Sequence, residues 1–371
     1  MIINVASFGG RTHLLDTARE LEKQGHTVRF YSYVPTKRAV KFGLKKECNY
    51  SIFWFAFPYL IWMKLFGFGG WATFIYHRLC DLFIAYYMKP CDVFIGQSPM
   101  HYYSIKYAKK KWNAITILER GTSHILEYIN NLSTIPNFKR PKSISIKYDL
   151  KGYKVADYIS VGAEHVKESF MKHGFPENKI FVNNYGFNNT QFKSTTYSGP
   201  YDIIMVGTWS YRKGCDLLIE ACRQKHYKLL HVGPHTDLNI PPNSNITDIG
   251  TVDQRELLQY YQQARVFVLP SREEGLALVQ MQAAACGLPI VCSTKSGGKD
   301  IKKYTQYPEH IIEMKELTVN ELCNCIEKAL QLALKQQGKR EYLGEKIQEA
   351  SFEGYGNRYN HFLQKIKNNP Q

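Results

Sequence analysis

The chain has 371 residues, of which 44% are hydrophobic, and carries a formal net charge of +16 with a pI near 9.3. This length predicts two or three domains, and the hydrophobic fraction excludes a disordered chain. The charge favours anionic partners: phosphate-bearing substrates, an anionic membrane surface or nucleic acid. No nucleic-acid recognition motif is present and the basic stretches alternate with apolar ones, so we expect no specific nucleic-acid partner.

The nine cysteines include no Cys-x-x-Cys pair. Several stand in apolar helical or strand contexts, where reduced, buried thiols are the expected state. Reduced thiols fit a reducing cytoplasm. The first apolar run is too short for a signal peptide, so we expect a cytoplasmic protein.

The chain opens with the pattern of a β-α-β unit. Ile2–Ala6 is an apolar strand, Gly9 and Gly10 form a turn, a helical pattern ends at Gly25, and Thr27–Tyr31 is the next strand. Glycines in such a turn let a ligand approach the backbone closely. A tight turn without a ligand is an equally good interpretation of these two residues.

An aromatic segment, Ile52–Tyr76, follows the basic stretch Thr36–Lys46. Its length nearly spans a bilayer, but Pro58, Lys64 and three glycines interrupt it, so we do not predict a transmembrane helix. Two interpretations remain. The segment lies on an anionic membrane surface, or it is a helix buried in the first domain.

Two further strands are predicted at Asp92–Gly96 and Ala114–Leu118, and a polar loop with His124 follows the second. Ligands of open α/β folds bind at the carboxyl edge of the sheet, where this loop should lie. His124 is therefore a candidate ligand-binding residue. Its alternative role is to cap the helix that follows.

The small, polar stretch Ser194–Pro200 predicts a linker between two domains. The strand Asp202–Val206 then leads into a loop with Arg212 and Lys213. Lysine can reach phosphate oxygens as a point charge, and arginine can bind them with two parallel hydrogen bonds. The alternative is an exposed pair with no ligand.

The most informative stretch contains the apolar strand Val266–Leu269 and a helix from Ala277 to Cys286. Between them lies a polar loop with Glu274 and Gly275. The N–H groups at a helix start can bind an anion such as a diphosphate. Glu274 and Gln282, facing one cleft, suit a ligand with several hydroxyl groups.

This stretch resembles the Pro-Ser-x-x-Glu-Gly-Phe-Gly-Leu-Val-x-x-Glu-Ala-x-Ala-x-Gly-x-Pro-Val signature of family-4 retaining glycosyltransferases. Residues 207–214 are similar to that family's Gly-Arg-Leu-x-x-x-Lys-Gly loop, and residues 156–163 to its Ala-Asp-x-Ile strand. The resemblance implies an α/β protein with the GT-B fold, in which two Rossmann-like, doubly wound domains face a central cleft. It divides the chain into an acceptor-side domain (1–195), a nucleotide-sugar domain (196–350) and a C-terminal helix that returns to the first domain (351–371).

The resemblance also implies roles for individual residues. Glu274, His124 and Lys213 are the implied catalytic residues, and Gln282, Thr251 and Val252 the implied contacts to the nucleoside. The implied binding residues for the donor diphosphate and sugar are Gly9, Gly10, Arg212, Gly275, Leu276, Ala277, Leu278 and Val279.

The implied reaction moves a sugar from a UDP- or GDP-linked donor to a saccharide or lipid-linked acceptor with retention of configuration. It needs no metal and no other cofactor. The basic charge and the aromatic segment favour a lipid-linked acceptor at the inner face of the membrane, in polysaccharide or glycolipid assembly with peripheral contact to anionic lipid, and a soluble acceptor is the open alternative. Three departures weaken this expectation: Gln282 replaces a family glutamate, Thr208 an arginine and Asn188 an aspartate. They motivate an alternative, a non-catalytic GT-B protein that binds a nucleotide sugar or a partner subunit.

Overall fold

The structure is a computed structural model that describes residues 1–8, 12–67, 70–194, 196–336, 340, 346 and 348–368, without the side chains of residues 70 and 71. The predicted ligand contacts Gly9 and Gly10 lie outside the described residues. Within the described residues, no helix has the length and apolar character needed to cross a membrane.

The first domain is built on a parallel sheet of seven strands in the order β3-β2-β1-β4-β5-β6-β7. Most residues of its central strands are apolar and buried, as expected when helices cover both faces of a parallel sheet. The strands are β1 (Ile2–Ala6), β2 (Thr27–Ser32), β3 (Asn49–Ser51), β4 (Val93–Gln97), β5 (Ile115–Arg120), β6 (Tyr158–Val161) and β7 (Ile180–Val182).

The second domain repeats this plan with a parallel sheet of six strands in the order β10-β9-β8-β11-β12-β13. In both sheets the strand order reverses beside the first strand, and such switch points are where open α/β sheets bind ligands. The strands are β8 (Tyr201–Val206), β9 (Leu229–Val232), β10 (Ile246–Asp248), β11 (Ala264–Leu269), β12 (Ile290–Ser293) and β13 (Ile311–Met314).

Helices connect the parallel strands, because the chain must return along the sheet before the next strand can run in the same direction. Those of the first domain are α1 (His13–Lys23), α2 (Thr36–Lys41), α3 (Phe53–Phe66), α4 (Gly70–Tyr87), α5 (Tyr102–Trp112), α6 (Ile125–Leu132), α7 (Ser143–Val155) and α8 (Glu164–Lys172). Those of the second domain are α9 (Cys215–Lys225), α10 (Leu257–Gln262), α11 (Leu278–Ala285), α12 (Gly298–Ile301) and α13 (Val319–Lys335).

The last helix, α14 (Phe352–Asn368), packs on α1 of the first domain. Tyr355 and Thr17 share a hydrogen bond of 2.8 Å, and the Tyr359 hydroxyl donates to Glu119 over 2.9 Å. The chain therefore crosses between the domains twice. The two crossings are joined side by side, because Phe187 pairs with Ser351 in a parallel bridge.

The prediction of two doubly wound parallel sheets with a returning C-terminal helix is confirmed. The predicted boundaries after residues 195 and 350 fall between β7 and β8 and just before α14. All nine cysteines are buried and free, which agrees with the expectation of reduced thiols.

Candidate active site

The carboxyl edges of the two sheets face a cleft of about 420 Å³. The first domain lines it with Thr12, His13, Gln97, Ser98, Gly121 and Tyr185, and the second with Val206, Gly207, Lys213, Glu274, Leu276, Ala277, Leu278 and Val279. Several side chains that the sequence places far apart thus meet at one site.

Glu274 lies at the centre of the charged part of this cleft. Its Oε1 atom is 2.5 Å from the Lys213 Nζ atom and 3.4 Å from a guanidinium nitrogen of Arg212. The side chains of Glu274 and Lys213 are 12% and 10% exposed, whereas Arg212 is 36% exposed. Two cations therefore surround one carboxylate, and the cluster keeps an excess of positive charge to offer an anion.

The start of α11 faces the same space. Its position follows from the sequence, because Pro270 ends the strand β11 and the loop up to Ala277 turns the chain into the helix. Ala277 donates its N–H to the Ser296 carbonyl over 3.3 Å, so this predicted phosphate donor is already engaged. The N–H groups of Leu276, Leu278 and Val279 are the remaining predicted donors.

At Gly275 the backbones of the two domains approach each other closely beside the cleft. A Cβ atom at this position would lie 2.4 Å from the Gly121 carbonyl oxygen, so the backbone leaves no room for a side chain. This steric limit explains the glycine next to Glu274 without any ligand contact.

Glu273 joins the domains at this point, and the sequence did not single it out. Its carboxylate is fully buried and accepts hydrogen bonds from the Ser123 N–H at 2.9 Å, the Ser123 hydroxyl at 3.1 Å and the Asn131 amide at 2.5 Å. A carboxylate from the second domain thus holds the loop after β5 in the first. Adjacent glutamates have separate tasks, one between domains and one in the cleft.

The structure places His124 away from the cleft lining. It is 1% exposed, it caps α6 by accepting the Leu126 N–H at 3.4 Å, and its ring stacks on His173 at a centroid distance of 4.2 Å. Burial lowers its pKa to about 3, with the neighbouring His173 adding to the effect. The capping alternative describes the position of this residue, and a contact with the donor stays a prediction.

His13 is the histidine that does reach the cleft. It is the first residue of α1, and its Nε2 atom lies 3.3 Å from Glu119, a carboxylate that is 1% exposed. Its ring also packs on Tyr185 at 4.6 Å. The available signal was its place just after the glycine-rich turn, at the carboxyl edge of β1.

The predicted nucleoside contacts lie outside the residues that line this cleft. Gln282 is 4% exposed, and its carboxamide oxygen accepts from the Tyr261 hydroxyl at 3.2 Å. Thr251 is exposed and Val252 half-buried in the stretch after β10. Their contact with a nucleoside stays a prediction.

One group of side chains in the described part of the chain has the spacing of metal ligands: His231, His235 and Asp248. The carboxylate of Asp248 is 2.7 Å from His231 and 2.8 Å from His235, and the second ring nitrogen of His231 is 2.9 Å from the Gly207 carbonyl oxygen. Hydrogen bonding accounts for all three residues. The expectation of a metal-free reaction is not tested by this arrangement.

Comparison with known proteins agrees with this architecture. Residues 187–350 match the protein family described as "Glycosyl transferases group 1". The putative colanic acid biosynthesis glycosyltransferase WcaL of Escherichia coli is 30% identical over 148 residues, which is 34% of this chain and 36% of WcaL. The amylovoran biosynthesis glycosyltransferase AmsK of Erwinia amylovora is 30% identical over 149 residues, 33% of this chain and 36% of AmsK. The chain thus spans about a third of the length of these relatives.

Solved structures resemble the whole chain. Sucrose-phosphate synthase from Thermosynechococcus elongatus superposes with a TM-score of 0.68 at 15% identity, covering 98% of both chains. The Anabaena protein HepE in complex with UDP and glucose superposes with a TM-score of 0.64 at 12% identity, covering 98% of this chain and all of HepE. At such low identity the likeness establishes the fold, and the predicted GT-B architecture is confirmed.

Proposed function

We propose that this protein is a retaining glycosyltransferase that uses a nucleotide-sugar donor, UDP- or GDP-linked, and a saccharide or lipid-linked acceptor. The observation that carries the proposal is the meeting of Lys213 and Glu274 with the start of α11 in one cleft, where Arg212 contacts Glu274 from beside the lining. Donor transfer requires charge for a leaving diphosphate and oxygen ligands for sugar hydroxyls, and this cluster offers both.

The leaving diphosphate is the proposed ligand of the cationic side. Lys213, Arg212 and the N–H groups of α11 supply positive charge from the protein itself, so we propose that the reaction needs no metal. A diphosphate entering here competes with Glu274 for Lys213. Glu274, once relieved of that pairing, can accept hydrogen bonds from donor hydroxyls near the reacting carbon.

The acceptor approaches from the first domain in this proposal. His13, held by Glu119, faces the cleft from that side and can hydrogen-bond an acceptor or donor hydroxyl. The acceptor attacks from the face that the diphosphate leaves, and the diphosphate itself takes the acceptor proton. The anomeric configuration is retained in such a reaction.

The biological setting is proposed from the relatives. WcaL and AmsK are named for the biosynthesis of colanic acid and amylovoran, which supports a role in polysaccharide assembly. The net charge of +16 fits peripheral attachment to the anionic, cytoplasmic face of a membrane, where a lipid-linked saccharide is presented. Gln282, Thr251 and Val252 remain the proposed contacts to the nucleoside.

Thermal stability in the presence of UDP, GDP, CMP and their sugar conjugates, without metal, tests the donor site. Ligand binding to the folded state raises the melting temperature by mass action. The gain in unfolding free energy is about 2.7 kcal/mol when the ligand concentration is a hundred times Kd. We expect a shift with one nucleotide family, reduced in Lys213→Ala and Glu274→Ala. The matched control is Lys225→Ala, which removes a lysine from a surface pair with Glu327 and should leave the shift unchanged.

Turnover separates catalysis from the alternative, a non-catalytic GT-B protein that binds a nucleotide sugar or a partner subunit. Slow hydrolysis of the recognised donor, with release of the sugar in its original anomeric form, supports the enzyme. A nucleotide-dependent shift without hydrolysis or transfer supports the alternative, and Gln282→Glu is then the first substitution to examine.

A further inference from the structure

Helices α3 and α4 carry an unusual amount of exposed apolar surface. Of the 19 large apolar side chains that are exposed in the described part of the chain, 12 lie between residues 54 and 87. Trp54 is 80% exposed, Leu65 69%, Phe66 68% and Tyr86 86%. We call the exposed apolar side chains of these two helices the aromatic face.

α4 is apolar on its exposed side as well as on its buried side. Its charged residues face the protein: Asp81 is fully buried and accepts the N–H groups of Tyr103 and Ser104 at the start of α5, and Arg78 donates to the Pro99 carbonyl over 2.8 Å. Tyr76, Cys80 and Ile84 are buried as well, yet a second apolar series, Ile75, Leu79, Leu82 and Tyr86, is exposed at helical spacing. A surface helix in water normally carries polar residues on its outer side.

α3 is held on top of α4 by ring stacking. Tyr59 stacks on Tyr76 at 3.5 Å and Phe55 on Phe83 at 4.1 Å. Of the 14 residues of α3, only Lys64 is charged. A helix of this length is about 21 Å long, too short to cross a bilayer but suited to lie along its surface.

The charge of the molecule is concentrated in the domain that bears this face. Residues 1–195 contain 27 lysines and arginines against 13 aspartates and glutamates, so they carry +14 of the total +16. Exposed basic residues of this domain include Lys139, Arg140 and Lys147, which lie in and before α7.

α7 touches α4 directly, which places its basic residues beside the aromatic face. Phe74 contacts Tyr148 of α7 at a ring distance of 5.6 Å, and the Arg78 guanidinium lies 4.8 Å from the same ring. The only acidic residue in residues 133–155 is Asp149, which is buried and paired with Arg120. The flank therefore presents positive charge without a neighbouring acid.

We propose that the aromatic face is a docking surface for an anionic phospholipid bilayer. Its apolar side chains enter the boundary between headgroups and acyl chains, tryptophan and tyrosine lie at headgroup level, and the flanking basic residues bind lipid phosphates. The charge complementarity of a basic flank beside an apolar face identifies a bilayer as the occupant. This decides between the two interpretations of the aromatic segment in favour of an interfacial position.

The docking surface stands close to the cleft. His77 of α4 stacks on Phe8 at 6.0 Å, and the Phe8 N–H donates to Gln97, a residue of the cleft lining. If the proposed function holds, a bilayer on this face brings a lipid-linked acceptor to the acceptor side of the cleft. The docking itself does not depend on that function.

Vesicle co-sedimentation of the full chain tests the proposal. We expect binding to phosphatidylcholine vesicles that contain phosphatidylglycerol, weakening as salt is raised, and little binding to phosphatidylcholine alone. The combined variant Trp54→Gln, Leu65→Gln, Phe66→Gln should lower the partition coefficient roughly a hundredfold. Its matched control is Ile249→Gln, Leu317→Gln, Leu334→Gln, which changes three exposed apolar residues of the second domain and should bind like the unmodified chain.

A second pair of variants tests the charged flank. Lys139→Gln, Arg140→Gln, Lys147→Gln removes three basic residues and should lower binding to anionic vesicles roughly a hundredfold. Lys299→Gln, Lys328→Gln, Lys335→Gln removes the same charge from the second domain and should have little effect. Equal binding by all four variants, or absence of binding to anionic vesicles, overturns the proposal.

Two further measurements separate the proposal from a dimer interface on the same face and from the proposed function. If the aromatic-face variant converts a dimer to a monomer in analytical ultracentrifugation while vesicle binding is unchanged, a second copy of the chain covers the face and the proposal is wrong. The nucleotide-induced melting shift, measured on the same variant, reports on the proposed function alone. Loss of vesicle binding with an intact nucleotide shift is the expected combination.

Discussion

At the scale of single residues, the proposed function gives Glu274, which pairs with Lys213 and Arg212, two successive roles. Before an anion enters, it neutralises part of the cationic cluster. After an anion has taken over Lys213, the same carboxylate becomes available as a hydrogen-bond acceptor. The side chains of Glu274 and Lys213 are both about nine-tenths buried. The exchange of Glu274 for an anion at Lys213 therefore takes place with little screening by water.

His124 makes stability depend on pH. Its pKa is lowered to about 3 in the folded chain, against about 6.5 when unfolded, so the unfolded state binds more protons below pH 6.5. Its contribution is present above that pH and is lost as pH falls, by about 2 kcal/mol between pH 7 and pH 5. His124→Asn keeps a capping acceptor and removes the titrating ring, so its unfolding free energy should fall less over this interval.

Urea unfolding of both proteins at pH 7 and pH 5 measures this difference. His361→Asn is the control, because His361 lies exposed on α14. An equal decline in stability for the unmodified chain and His124→Asn would contradict the assignment.

The sequence predicts the position of a residue in the fold where the neighbouring sequence alone determines it. Lys213 and Glu274 each follow a strand and precede a helix, so their place at the carboxyl edge follows from the pattern alone. His124 also follows a strand, yet its side chain turns into an aromatic cluster formed with Tyr153, Phe170 and His173. The direction of a side chain in a loop depends on distant partners, which spacing does not contain.

At the scale of elements, the loop before α11 is limited by the backbone of the other domain. Gly275→Ala should force this loop away from the Gly121 carbonyl, because the added methyl group would lie 2.4 Å from that oxygen. We expect a loss of about 1–3 kcal/mol in stability and a smaller nucleotide-induced melting shift.

Gly121→Ala is the matched substitution on the opposite side of the same contact. Its Cβ atom would meet only the Tyr185 hydroxyl, at the ordinary distance of 3.7 Å. Melting temperature with and without nucleotide should therefore change much less for this variant. If both variants behave alike, the close approach is not what requires glycine at position 275.

The helix α14 is tied to the first domain through a buried acid. Tyr359→Phe removes the hydroxyl that donates to Glu119 and leaves in place the contact of this carboxylate with His13 on the cleft side. Because a buried acceptor loses a donor, we expect about 1–3 kcal/mol of destabilisation in chemical denaturation. Tyr86→Phe removes an exposed hydroxyl and should change stability by less than about 0.5 kcal/mol.

The sequence predicted the strands and helices where the apolar runs were unambiguous. It did not decide whether α3 and α4 are buried or interfacial. Periodicity identifies which residues share a helix face, but both a buried helix and an interfacial one are apolar. The inward placement of Arg78 and Asp81 supports the proposed interfacial position, and it depends on α5 offering its N-terminal N–H groups to Asp81. That partner is not visible in the segment itself.

At the scale of the whole molecule, two carboxylates of the second domain hold the first. Glu273 binds Ser123 and Asn131, while Asp300 accepts from the Glu164 N–H at 3.1 Å and the Asn184 amide at 2.9 Å. The sequence indicated an acid at position 300 through its resemblance to a family turn, but no local pattern gives a contact between domains.

Replacing both acids should loosen the arrangement of the domains. In Glu273→Gln, Asp300→Asn each amide offers one acceptor oxygen in place of two, so we expect a loss of about 1–2 kcal/mol per site. Small-angle X-ray scattering should show a larger radius of gyration than for the unmodified chain. Glu327→Gln, at an exposed pair, is the control, and an unchanged scattering curve for the double variant would refute the role of these acids.

The side-by-side crossing of the chain at Phe187 and Ser351 has a mechanical consequence. A single flexible connection would let the two domains rotate relative to each other about any axis. Two connections that are hydrogen-bonded to each other at Phe187 should restrict the domains to rotation about one hinge axis. Any opening between the sheets should therefore be a one-parameter motion, so that a single distance measured across the cleft would report its full extent.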